Sequence, residues 1–180
     1  MPVDSPGTGT ELDDAGAVPG VLRDDVGHVM ARAAQALGSH ELVALNAIGL
    51  DLRSYGVLAL AAEASLGQLE ISDLTGIDRS TVVLVVDRLV ENGLVTRRQS
   101  AHDRRIRIVE PTERGHRLAA EAVQRVRAVE AEFLSPLDAD ERRAFLAFIR
   151  RIALGPLGRP ADLSGLPTTP RRRPRRGDPR

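Results

Sequence analysis

I-D-R-S-T-V-V-L-V-V-D-R-L-V-E-N-G-L-V, residues 77–95, holds a helix with both of its ends marked. Asp78 is a good N-cap, because a short carboxylate in extended backbone accepts the free N–H groups of a first turn. Val82, Val85, Val86 and Leu89 recur at the spacing of one buried helical face. Asn92-Gly93 then stops the helix. The run is rich in valine, which favours strands, but the caps at both ends and the length decide for a helix. Leu84 falls outside the Val82/Val86/Leu89 stripe, so it is expected on the outer surface.

Toward the C-terminus, Leu94 to Arg98 reads as a strand. Ile106-Arg107-Ile108-Val109, alternating apolar and basic, reads as its partner. Between them a polar turn is followed by three arginines in four residues, Arg104, Arg105 and Arg107. Pro111 ends the second strand. Thr112-Glu113 opens a long helix to about Leu134, with Leu118, Ala122, Val126, Val129 and Phe133 as its apolar positions. Pro136 breaks it. A last helix is predicted from about Asp138 to Ile152, with Phe145, Phe148, Ile149 and Ile152 on one face.

Toward the N-terminus, a helix is predicted from about Leu66 to Thr75, with Leu69, Ile71 and Leu74 facing inward and Gly76 ending it. A shorter one follows Leu50–Ser54 and carries Tyr55, Val57, Leu58 and Leu60. From Val21 to Ile48 the apolar residues again keep helical spacing, and Gly38-Ser39 is expected to kink or split that helix. Residues 1–20 mix Gly, Pro, Thr and Asp with few large apolar groups and are expected to be a disordered tail. Residues 155–180 are rich in Pro, Gly and Arg and are expected to be a flexible basic tail. The folded domain is thus expected over 21–154, with its central lobe over about 53–110 and flanking helices over about 21–48 and 112–154.

A chain of 180 residues can bury a real core without staples. There is no cysteine, which excludes a disulfide framework, a cysteine metal site and a thiol switch. No apolar run approaches the ~20 residues of a membrane span, and a cytoplasmic protein is the expectation. The formal net charge is zero, but residues 1–75 hold 3 Arg against 11 acids, while residues 76–180 hold 22 against 14. Such a split suggests contact with nucleic acid or an acidic surface. Every basic residue apart from histidine is arginine. Arginine keeps its charge at any relevant pH and can fork onto phosphates or bases.

Helix, short turn, helix, hairpin is the order of a winged helix-turn-helix. The major groove is wide enough for one α-helix. A preceding helix braces that helix across the backbone, and a two-stranded wing can carry a basic side chain into the adjacent minor groove. The fold class expected is therefore mainly α with a small β-hairpin wing, the partner double-stranded DNA. Arg79, Ser80 and Thr81 open the recognition helix and are candidate DNA contacts; capping is the alternative use of the two hydroxyls. Arg88, two turns on, would reach a phosphate or pair with Glu91. Arg104 and Arg107 are candidate phosphate contacts. Arg171 to Arg176 would either add electrostatic affinity for DNA or stay solvated.

The stretch 77–95, followed by D-R-R-I-R-I-V-E-P-T-E-R-G at 103–115, resembles the multiple-antibiotic-resistance regulator (MarR) family of transcription factors. The looser resemblance covers about residues 21–154. It implies a homodimer in which the first helix and the last two intertwine and two winged lobes read a near-palindromic operator. The apolar faces of the terminal helices, with little in one lobe to cover them, point to the same dimer. The resemblance also implies that Arg105 enters the minor groove and that Asp103 holds it by a salt bridge. Where many relatives carry a polar or basic residue, this chain has Leu84, and a contact to a thymine methyl is one reading of it.

In relatives, small effectors, often aromatic carboxylates, bind between the dimer helices and the winged lobe. His28 and Arg32, four apart on one helical face, together with Arg53 and Tyr55, are the candidates for such a pocket; the alternative is that the first three merely face water and the tyrosine packs in the core. His40, His102 and His116 show no metal-ligand spacing, and no cofactor is expected. Neither a nucleophile elbow, nor a phosphate-binding Gly-rich loop, nor H-E-x-x-H occurs, so an enzyme is not expected. The expected function is a repressor released by a small effector. A winged-helix protein–protein adaptor and a winged-helix regulator of another family are the alternatives.

Overall fold

The computed structural model describes residues 20–99, 107–156 and 158. The order of elements is α1 (Gly20–Arg23), α2 (Val26–Asn46), α3 (Leu52–Glu63), β1 (Leu66–Gly67), α4 (Gln68–Thr75), α5 (Arg79–Glu91), β2 (Val95–Gln99), β3 (Arg107–Pro111), α6 (Glu113–Phe133) and α7 (Ala139–Ala153). This is a mainly helical winged helix with a small antiparallel sheet. The chain divides into two compact units, one ending at Ser135 and one starting at Pro136.

In the first unit, α3, α4 and α5 surround a core of Leu45, Val57, Leu58, Ile71, Val82, Val86 and Leu89, closed by Val95 and Val109 of the sheet. The expected α5 stripe of Val82, Val85, Val86 and Leu89 is buried in full. Helix α6 continues the core through Ala119, Ala122 and Val126, while Leu118, Val129 and Phe133 are half-buried. Buried apolar area at roughly 25 cal/mol per Å² is what holds this arrangement against chain entropy.

Four details differ from the sequence reading. First, α2 runs without a break through Gly38-Ser39. The Ser39 hydroxyl donates to the Ala36 carbonyl at 2.7 Å, which satisfies it inside the helix. Second, the break falls earlier: Asp25 caps α2 by accepting from the His28 N–H at 2.7 Å, leaving α1 as a separate turn. Third, Leu66–Gly67 is a strand and not the start of α4; it pairs with Val109 and Ile108, so the sheet order is β1-β3-β2. Fourth, α4 starts at Gln68, and of its expected inward residues only Ile71 is buried, joined by Ser72, while Leu69 and Leu74 are exposed at 48% and 63%. The buried Ser72 hydroxyl donates to the Ile77 carbonyl at 2.6 Å, which holds the α4–α5 turn.

Of the strand expected from Ile106, Ile106 lies outside the described residues; β3 runs through Arg107, Ile108 and Val109 and takes in Pro111, whose Cα partner is Val95. Proline lacks a donor but is tolerated there, since β1 pairs only with Ile108 and Val109. The second unit holds α7, which has a capping box: the Asp138 carboxylate accepts from the Asp140 and Glu141 N–H groups, and Glu141 accepts from the Asp138 N–H. No α7 residue is buried.

Candidate nucleic-acid interface

Helix α5 starts where Asp78 Oδ1 accepts the Thr81 N–H at 2.9 Å and the Ser80 hydroxyl at 2.5 Å. Both hydrogen bonds favour the charged carboxylate, and they hold it far below the usual carboxylate range. A carboxyl whose pKa is depressed in the folded state adds stability above its unfolded value, near pH 4, and loses it as pH falls through the folded value. Asp78→Asn keeps a capping oxygen without the charge. Its stability deficit against wild type, measured by urea unfolding, is expected to be constant from pH 7 to about 5 and to shrink below about pH 4. A gap that widens on acidification contradicts this role.

With the valine–leucine stripe buried, the outward face of α5 carries Ser80, Leu84, Asp87 and Glu91, flanked by Arg88. Arg79 at the helix start is exposed and makes no ion pair with a described residue. Thr81 is half-buried, and its N–H is committed to Asp78. Arg88 does not pair with Glu91. Its Nη1 donates to Asp51 Oδ2 at 3.0 Å, while Asp51 Oδ1 accepts the Ser54 N–H at 2.7 Å and so caps α3. One carboxylate therefore starts α3 and ties α5 to it.

A second tie joins the wing to α5. Arg97 on β2 donates to Asp87 on α5, with the arginine side chain about three-quarters buried. This pair fixes the root of the wing against the recognition helix. Arg98 of the same strand donates to Glu110 of β3 at 3.0 Å. The pairing residues stand 10 to 37 apart in sequence, so no local spacing announces them. Arg107 is exposed at the first described position of β3. Asp103, Arg104 and Arg105 lie outside the described residues.

His28 and Arg32 are brought together. With Leu22, Arg23, Val29 and Ala33 they line an open groove of about 480 Å³ between α1 and α2. The His28 Nε2 atom is buried and finds no hydrogen-bond partner among the described residues. Arg53 and Tyr55 do not line that groove. Arg53 is exposed on the first turn of α3, and Tyr55 packs half-buried against the core. Burial, then the Glu130 charge, raises the Tyr55 pKa above its ordinary value. Among the described residues no group of three or more His, Asp or Glu side chains is placed to hold a metal ion, and no helix is long and apolar enough to cross a membrane.

A family model for the MarR family matches residues 48–106, from the end of the α2–α3 turn into the wing. A solved transcriptional regulator of the MarR family from Rhodococcus sp. RHA1 superposes with a TM-score of 0.70 at 32% identity, over 74% of this chain and 95% of that one. The chain belongs to the MarR family. A second similar MarR-like structure is CouR from Rhodococcus jostii RHA1 bound to p-coumaroyl-CoA, with a TM-score of 0.69 and 32% identity over 74% of this chain and 94% of that one. A third is BpsR from Bordetella bronchiseptica, whose DNA binding is regulated by 6-hydroxynicotinic acid; its TM-score is 0.67 and its identity 26%, over 73% of this chain and 95% of that one. This MarR-family chain is therefore a DNA-binding transcriptional regulator with a winged-helix fold.

Proposed function

We propose that the chain acts as a homodimeric repressor, released from a pseudo-palindromic operator by a small organic acid. The observation that carries the dimer is α7. Phe145, Phe148 and Ile152 share one face with Ile149, and those three are 40–57% exposed. An uncovered stripe of this kind is what a second copy would bury, and a two-fold axis makes one patch serve both protomers.

DNA contact is assigned to Arg79, Ser80, Thr81, Leu84 and the wing residues Asp103, Arg104, Arg105 and Arg107. Arg88, tied to Asp51, acts chiefly by holding the recognition helix. The effector would meet His28 and Arg32 in their groove, with Arg53 and Tyr55 contributed elsewhere in the dimer. An aromatic carboxylate or its thioester suits this set, because the groove combines apolar walls with arginine side chains, and the two Rhodococcus and Bordetella relatives named with ligands meet molecules of that chemistry. Effector binding would change the spacing of the two lobes, so that the recognition helices no longer match successive major grooves.

The test combines sedimentation with gel shifts on duplex fragments from the region upstream of the chain's own gene. Twice the mass of one chain, a retarded duplex, and release by p-coumarate, p-coumaroyl-CoA or 6-hydroxynicotinate are expected. A monomer that retards no fragment overturns the proposal and favours the adaptor. A dimer that binds DNA but ignores all three acids overturns the effector class alone.

A further inference from the structure

We propose that Leu84 reads thymine, by covering its C5-methyl group in the major groove. The inference rests on α5 being the DNA-reading helix and goes beyond it by naming the base. Leu84 is 64% exposed, although it stands in the middle of a helix whose other leucine, Leu89, is 1% exposed. It lies one turn beyond Ser80 and one turn before Arg88 on the same face, in the part of a recognition helix that meets base edges.

The neighbours of Leu84 leave it this task. Arg88 is held by Asp51, and Asp87 by Arg97. The Ser80 hydroxyl donates to Asp78. The far end of the outward face carries Glu91, whose charge opposes a close approach of phosphates. The N-terminal half of α5 is therefore the half that can enter the groove. Past Arg79 and Ser80, its outward centre is an apolar side chain. Among the groups that project into the major groove the thymine methyl is the one apolar substituent, the cytosine C5–H being flush with its base edge. An aliphatic side chain facing any other base edge would strip water from a polar group and return no hydrogen bond.

The methyl can be removed without touching any hydrogen bond, by replacing thymidine with deoxyuridine. Sites for the full chain are first selected from a random duplex library at fixed salt. Thymines of the selected site are then replaced singly by deoxyuridine. At one thymine per half-site an affinity loss of about fourfold is expected, the factor that corresponds to about 0.8 kcal/mol for one buried CH₂-sized group. Leu84→Ala is expected to bring the thymine-to-uracil ratio to about one, whereas Leu84→Met, still apolar, should keep most of it. Because Leu84 is exposed, neither change touches the core, and both variants are expected to melt with wild type. The methyl projects into the major groove, so contacts of the wing in the minor groove do not enter this ratio.

Selected sites without any uracil-sensitive thymine overturn the assignment. So does a sensitivity that survives in Leu84→Ala, since another residue would then cover the methyl. A chain that retains no duplex at all overturns the reading helix itself, and the role of Leu84 with it.

Discussion

Gly115→Ala is expected to destabilise the winged-helix unit by about 2–3 kcal/mol, even though alanine is the better helix former. Gly115 is buried in the first turn of α6. A Cβ built there falls 1.9 Å from the Leu94 carbonyl oxygen and 3.3 Å from Pro111 Cβ. The clash is with backbone, so rotation of a side chain does not relieve it. Nor is the carbonyl free to retreat: it accepts the Thr112 N–H at 3.0 Å and the Thr112 hydroxyl at 3.3 Å, and that hydroxyl in turn accepts the Gly115 N–H at 3.0 Å. Moving Leu94 therefore breaks the N-cap of α6 as well as the packing where β2 meets α5. The gain of roughly 1 kcal/mol from helix propensity offsets only part of this. Urea unfolding and a melting temperature lowered by roughly 5–15 °C would record the loss. A variant as stable as wild type would mean that α6 does not approach Leu94 so closely.

The same glycine shows what a sequence can and cannot announce. Its place in the motif after the wing is legible, but the reason for it, the carbonyl of a residue 21 positions earlier, is not. Helix α5 was readable because everything that makes it is local: a capping aspartate, a period-3.6 stripe and a terminal Asn-Gly. Strand β1 was not, because two residues carry no periodicity and its identity comes from β3, more than forty positions on. In α4 the expected Ile71 is buried, but Ser72 and not Leu69 or Leu74 joins it on the inward face, a choice made by contacts with other elements.

The candidate site divides the same way. Exposure of Leu84 followed from the helical stripe alone. The ties Asp51–Arg88 and Asp87–Arg97 did not, because each joins two elements. They change the reading of Arg88 from a phosphate contact or a partner of Glu91 to a brace. The wing root is likewise held by an arginine, Arg97, that composition marks only as one positive charge among many. Pairing His28 with Arg32 needed only the i, i+4 rule; that Arg53 and Tyr55 stand apart from them needed coordinates.

Arg105→Ala is expected to weaken operator binding by about fivefold to 150-fold at fixed salt, about 1–3 kcal/mol. The expectation comes from the D-R-R motif at 103–105, whose likeness to the MarR family implies a minor-groove role for Arg105. Strands β2 and β3 are held in register by five residue pairs, and β2 is anchored to α5 through Arg97–Asp87. The two strands are therefore fixed against the recognition helix, which suits a wing that reads the groove adjacent to the one the helix occupies. In the minor groove the 2-amino group of guanine both fills space and replaces the negative potential that draws a guanidinium into A·T tracts. Replacing A·T pairs under the wing by G·C is therefore expected to weaken wild-type binding, and replacing them by inosine·C, which lacks that amino group, to restore it. The Arg105→Ala variant should be indifferent to all three. Arg107→Ala serves as the comparison: a residue that only touches phosphate should weaken every duplex alike and lower the salt slope by about one. If Arg105→Ala binds with unchanged affinity and footprint, or still distinguishes G·C from inosine·C, the minor groove is read by another residue and the wing assignment fails.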